Sequence, residues 1–134
     1  MEYVVGLCLA LAVSVFASLA GFDRDRAFYP TVMVVIASYY ALFAVIGGSL
    51  QVLLVESIAI AAFVGLTVLG FKRNLWLVVV ALFAHGIFDF FHGHIVTNAG
   101  VPTWWPMFCL TYDIMAAACL AWLLKRSRVP VHAH

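Results

Sequence analysis

The sequence predicts an all-α integral membrane protein, a bundle of five transmembrane helices with its N-terminus outside and its C-terminus cytoplasmic. Three observations carry this. Of 134 residues, 66% are hydrophobic and 10% charged, a balance that a soluble surface cannot carry. The apolar residues fall into five runs, each close to the ~20 residues that cross a bilayer. All seven Lys and Arg fall on one side of the resulting topology, which the positive-inside rule makes cytoplasmic. The runs and their short connections leave no length for a separate soluble domain.

The expected spans are residues 3–20, 28–47, 50–70, 75–96 and 105–124. The first has no basic stretch before it and carries its positive charges after the apolar run, the reverse of a secretory signal, so it reads as a span. GFDRDR joins it to the second, whose missing N–H at Pro30 costs little near a helix start. Gly47, Gly48 and Ser49 turn the second span into the third, FKRN leads to the fourth, and TNAGVPT separates the fourth from the fifth, which opens with Pro106. Arg24 and Arg26, Lys72 and Arg73, then Lys125, Arg126 and Arg128 mark the cytoplasmic ends. Trp104 and Trp105 belong at the outer interface, and Trp76 and Trp122 near the inner one. The chain has no visible internal repeat, so nothing points to a transporter built from inverted halves. Cys8, Cys109 and Cys119 lie in apolar segments without a CxxC pair and define no disulfide framework.

Three carboxylates stand inside spans, where ionisable groups are costly and functional by default. They are Glu56 in the third, Asp89 in the fourth and Asp113 in the fifth, joined by His85 and His92 in the fourth. At ~100° per residue, positions 85, 89 and 92 fall within roughly 60° on one helix face. His94 points the other way, towards the interface. At ~1.5 Å per residue, Glu56 lies about 9 Å and Asp113 about 12 Å below the outer boundary, and His85 sits about 15 Å into its span. Helices of different direction thus deliver these groups to one layer.

Three anions in one low-dielectric layer repel, so the layer requires positive charge: a divalent cation, retained protons or imidazolium. Imidazole with carboxylate is a ligand set for Zn²⁺ first, and for Fe²⁺ or Mn²⁺ as oxygens join. The expected primary ligands are His85, Asp89 and His92, with Glu56 and Asp113 as the catalytic carboxylates that orient an imidazole or accept a proton from a coordinated water. Interhelical hydrogen bonding alone is the structural alternative. Tyr39 or Tyr40, with Ser38, lies near the midplane and could donate to the site. Cys109, one turn from Asp113, reads mainly as a buried inert thiol. Ala116–Ala118 and Gly6 read as close-packing positions, and His132 with His134 as a fraying tail.

The segments FDRDRAFYPTVMVVIASYYALFAVIGGS and HGIFDFFHGHIVTNAGVPTWWP resemble a family of small bacterial inner-membrane proteins of unknown function, which implies that location and no activity. The His85-x₃-Asp89 element is similar to one in the seven-helix membrane metal hydrolases related to alkaline ceramidases and progestin/adiponectin receptors, an analogy of chemistry across five spans against seven. The expected function is therefore a metal-dependent hydrolase acting on a lipid-like substrate from the outer leaflet. The alternative is a proton- or metal-ion transporter or channel using the same cluster, against which stands the apolar stretch Leu75 to Ala84 below His85. Haem is disfavoured, since His85 and His92 on one helix cannot be opposite axial ligands. The expected partners are the lipid bilayer and further copies in a homo-oligomer, with no nucleic acid.

Overall fold

Each apolar run forms one α-helix in the computed structural model, which describes residues 1–133. The helices are α1 (Glu2–Ala20), α2 (Phe28–Ile46), α3 (Leu50–Lys72), α4 (Trp76–Ile95) and α5 (Trp105–Lys125), with a 3₁₀ turn at Phe22–Arg24. They contain 19, 19, 23, 20 and 21 residues, and all five are long and apolar enough to cross a membrane, which makes this an integral membrane protein. The described residues form no β-strand, only an isolated bridge between Asn74 and His132. Hydropathy maps onto helices because a chain in lipid must satisfy its backbone within each segment.

Local chemistry fixes the ends. The α2–α3 connection is a tight turn through Gly48, whose φ of 69° suits glycine. Ser49 then caps α3, its hydroxyl accepting the Val52 N–H at 3.2 Å. Asn74 accepts the Trp76 N–H at 2.9 Å and starts α4. Asp25 accepts the Ala27 N–H at 2.8 Å just before α2.

In the packed bundle α4 lies between α3 and α5 and also touches α2, α2 packs along α3, and α1 packs along α5. A close approach supports the α1–α5 pair, with Gly6 directly against the Phe108 carbonyl and the Thr111 hydroxyl. The apolar core occupies the half of the bundle nearer the basic residues: Met33 and Ala37 of α2, Val78 and Leu82 of α4, and Ala117 and Leu120 of α5 are all buried. At that end the chain beyond α5 folds back instead of fraying. Val129 is buried, Val131 accepts the Leu75 N–H at 3.0 Å, and Arg26 donates to the carbonyls of Pro130 and Phe71. Burial lowers the Arg26 pKa, but a guanidinium stays charged at neutral pH. The tail is ordered because the first N–H groups of α4 lack partners inside the helix. His132 Nδ1 lies 3.2 Å from the Arg73 carbonyl oxygen, and His134 lies outside the described residues.

Candidate functional site

Glu56, His85, Asp89, His92 and Asp113 are each only 0–2% exposed, and all five belong to one layer across α3, α4 and α5. Two sub-clusters make up the layer, and Tyr40 of α2 joins them.

In the first, His85 Nδ1 lies 2.7 Å from Asp113 Oδ2 and 3.3 Å from Asp89 Oδ2. Asp113 reaches His85 because α4 carries no side chain at Gly86. A Cβ there would stand 3.2 Å from both Asp113 Cβ and the Leu110 carbonyl oxygen. Asp89 is held from its other side by Tyr40, whose hydroxyl donates to Oδ1 at 2.6 Å. One potential ligand atom from each of His85, Asp89 and Asp113 can be chosen so that all lie within 4.8 Å of one another.

The second sub-cluster pairs His92 Nε2 with Glu56 Oε1 at 2.8 Å. Asn98, in the connection between α4 and α5, donates to the same Glu56 oxygen at 2.9 Å and to the Tyr40 carbonyl oxygen at 3.3 Å. The His92 ring stacks on Tyr40 with centroids 3.9 Å apart. Tyr40 therefore touches both halves, by its hydroxyl on Asp89 and by its ring face on His92. Phe63 lies edge-on to His85 at 4.8 Å and walls the layer with Phe88.

This placement departs from the sequence expectation in one respect. The sequence spacing puts His92 beside His85 and Asp89, with Asp113 in a supporting role, whereas in the structure Asp113 is the third member of the group and His92 pairs with Glu56. His85 and His92 share a helix face but are seven residues, or about 10 Å, apart along the axis, which is too far for one ion. Of the two tyrosines, Tyr40 faces the site, while Tyr39 packs edge-on against Trp105 at 4.9 Å. Cys109 is buried and stands outside the His85, Asp89 and Asp113 group. His94 is exposed as expected. Sequence reasoning missed Asn98, whose only signal is an amide in an otherwise turn-forming segment.

The electrostatics are unbalanced. Glu56 Oε2, Asp89 Oδ2 and Asp113 Oδ1 are buried without a hydrogen-bond partner, although buried polar atoms are normally satisfied. Two ligands at ~2.1 Å from a tetrahedral ion stand about 3.4 Å apart. The 3.3 Å between His85 and Asp89 matches that spacing. The 2.7 Å between His85 and Asp113 is shorter and is the length of a charge-assisted hydrogen bond. The same atoms can thus share a proton or, with a small shift of Asp113, a metal ion.

Fold and site together define a class: a five-helix integral membrane protein with a buried carboxylate–imidazole cluster. Comparison with protein families, curated proteins and solved structures finds no match to this chain.

Proposed function

We propose that this is an intramembrane metal-binding protein that hydrolyses an ester or amide of a lipid-like substrate. The observation that carries the reading is the set of three carboxylate oxygens buried beside two imidazoles without a hydrogen bond, one of them 3.3 Å from His85 Nδ1, an arrangement suited to a cation. His85, Asp89 and Asp113 would hold it, with Zn²⁺ favoured over Fe²⁺ or Mn²⁺ by the imidazole. When bound, such an ion supplies Lewis acidity and a water nucleophile near neutral pH. Tyr40 fixes the orientation of Asp89 and, through its ring stack on His92, links it to the Glu56–His92 pair, the remaining buried base of the layer, which would accept a proton by way of a bridging water. The basic end is assigned to the cytoplasm by the positive-inside rule, which puts the N-terminus outside and the cluster in the outer half of a bacterial inner membrane. Assembly into a homo-oligomer belongs to the same reading.

Elemental mass spectrometry of detergent-purified protein without an affinity tag tests the metal. Near-stoichiometric metal that is lost in both Asp89→Asn and Asp113→Asn is expected, and full occupancy in both variants would overturn the assignment. Glu56→Gln should keep the metal and slow hydrolysis of lipid esters or amides by about 10²-fold or more.

Transit of a proton or metal ion through the cluster is the second reading, and the near-complete burial of these side chains favours it, since an ion needs no room for a lipid ester. Proteoliposome flux that vanishes in Glu56→Gln, with no metal retained in the purified protein, would establish it over hydrolysis.

A further inference from the structure

A groove of about 810 Å³ runs along the bilayer-facing side of the bundle between α1 and α2. Leu9 of α1 and Val32 and Val35 of α2 form its walls, and Phe108 and Tyr112 of α5 its floor. It begins at Gly21 and Asp25, at the basic end, and extends beyond Tyr39 to Trp105. None of the five ionisable residues of the buried cluster lines it, so it is a separate feature.

We propose that the groove binds one anionic phospholipid, with an acyl chain lying between α1 and α2 and the phosphate at Arg24. The stretch of α2 from Phe28 to Tyr39 that lines it rises about 16 Å, and Trp105 carries the groove on towards the opposite end of the bundle, so an extended acyl chain fits along its length. The lining mixes branched and aromatic side chains with the smaller Ala27, Thr31 and Cys109, an uneven apolar surface that a flexible chain can follow.

Charge at the mouth completes the argument. Arg24 is exposed, and its Nε would stand 3.9 Å from a Cβ placed on Gly21, so its side chain reaches the rim of the groove, whose one charged lining residue is Asp25. Asp25 also stands there, but one of its oxygens is engaged by the Ala27 N–H. The cavity beside it is bordered by Arg24, Arg26 and Lys72 together with the same Asp25, three cations to one carboxylate. All seven basic side chains gather at this end of the bundle, with Asp23 and Asp25 as the carboxylates among them. Arginine binds phosphate through paired N–H donors, and basic pockets at the cytoplasmic ends of helices suit anionic headgroups.

The test is native mass spectrometry of protein extracted in mild detergent from vesicles of equal phosphatidylglycerol and phosphatidylcholine. The wild type should retain one lipid, with phosphatidylglycerol in excess. Arg24→Gln should reduce that preference about five-fold, the weight of one basic side chain near an anionic headgroup. Val35→Trp and Leu9→Trp, on opposite walls, should each abolish retention of both lipids, while Ile58→Trp on the exposed face of α3 leaves it unchanged. Circular dichroism verifies that each variant is folded, and either wall variant suffices if the other is not. A wild type that retains no lipid, an unchanged preference in Arg24→Gln, or full retention in a folded wall variant would overturn the proposal. So would a lipid-free dimer that the wall variants dissociate, which would put a second copy in the groove.

Discussion

Tyr40→Phe isolates the hydroxyl that joins α2 to the cluster. The ring stack on His92 survives, and only the 2.6 Å hydrogen bond to Asp89 Oδ1 is lost. Hydrogen bonds to charged groups contribute ≈ 1.5–3 kcal/mol in soluble proteins, whereas interhelical bonds in membranes average about 0.6 and reach about 1.7 kcal/mol. Asp89 belongs at the upper end of the membrane range, because Oδ2 makes no hydrogen bond and the variant would leave this carboxylate only the 3.3 Å approach of His85 Nδ1. The expected loss is about 1.5 kcal/mol, close to ten-fold in the unfolding equilibrium. Reversible unfolding in mixed micelles measures it, with Tyr39→Phe as the control on a residue that faces Trp105 instead. Under the metal reading the same variant should weaken Zn²⁺ binding by 10-fold or more, as loss of a partner that orients a ligand does. Wild-type stability in Tyr40→Phe, within the ~0.5 kcal/mol scatter of neutral substitutions, together with unchanged Zn²⁺ affinity, would refute the claim that Tyr40 positions Asp89.

Three further outcomes follow from the packing. Gly86→Ala should destabilise by about 1–3 kcal/mol through overpacking against Asp113 and the Leu110 carbonyl, and a micelle unfolding curve unchanged from wild type would contradict this close approach. Asn98→Ala removes both donations to Glu56 and Tyr40, so amide exchange across residues 97–101 should accelerate about five-fold, equivalent to ~1 kcal/mol of lost hydrogen bonding. Arg26→Gln releases the carbonyls of Phe71 and Pro130, and limited proteolysis should cut the chain after α5 several-fold faster while the helical bundle stays intact.

The five helices were legible in the sequence to within two residues at each end, because hydropathy in a membrane protein reports the backbone's own requirement for internal hydrogen bonds. The layer of ionisable residues was legible too, from helix rise and direction. What rise and angle did not supply was the lateral arrangement. His85 and His92 share a face, yet which residue comes alongside His85 depends on α5 packing against α4 at Gly86, and that pairing puts Asp113 there. Asn98 was hidden for a related reason. In TNAGVPT it reads as a turn former, and its contact with Glu56 arises only because the segment folds back over α2, with Gly100 against the Phe43 carbonyl. The tail after α5 carried no periodic signal, and its order comes from Val129 finding a buried place and Val131 finding an unpaired N–H.

The distribution of polarity along the bundle bears on how anything reaches the cluster. Below His85, towards the basic end, the buried positions of α4 are Leu82, Ala81 and Val78, packed against Met33 and Ala37 of α2 and Leu120 and Leu124 of α5. Among the described residues, the fully ionisable or hydroxyl groups buried in that half are Asp23, which accepts from Ser18 at the end of α1, Thr67, whose hydroxyl is turned back to the Phe63 carbonyl, and Tyr29, bonded to Ser14. Each is satisfied locally, and none extends the cluster as a ladder of donors and acceptors. On the other side, His92 lies one turn from the end of α4 and is bonded through Glu56 to Asn98, a residue of the connecting segment itself. Opening that segment exposes Glu56 and His92 first, then Asp89 across Tyr40, whereas opening the opposite end exposes only apolar core. The cluster is thus covered by polar hydrogen bonds from Asn98 on the side of the α4–α5 connection and by apolar packing alone on the other.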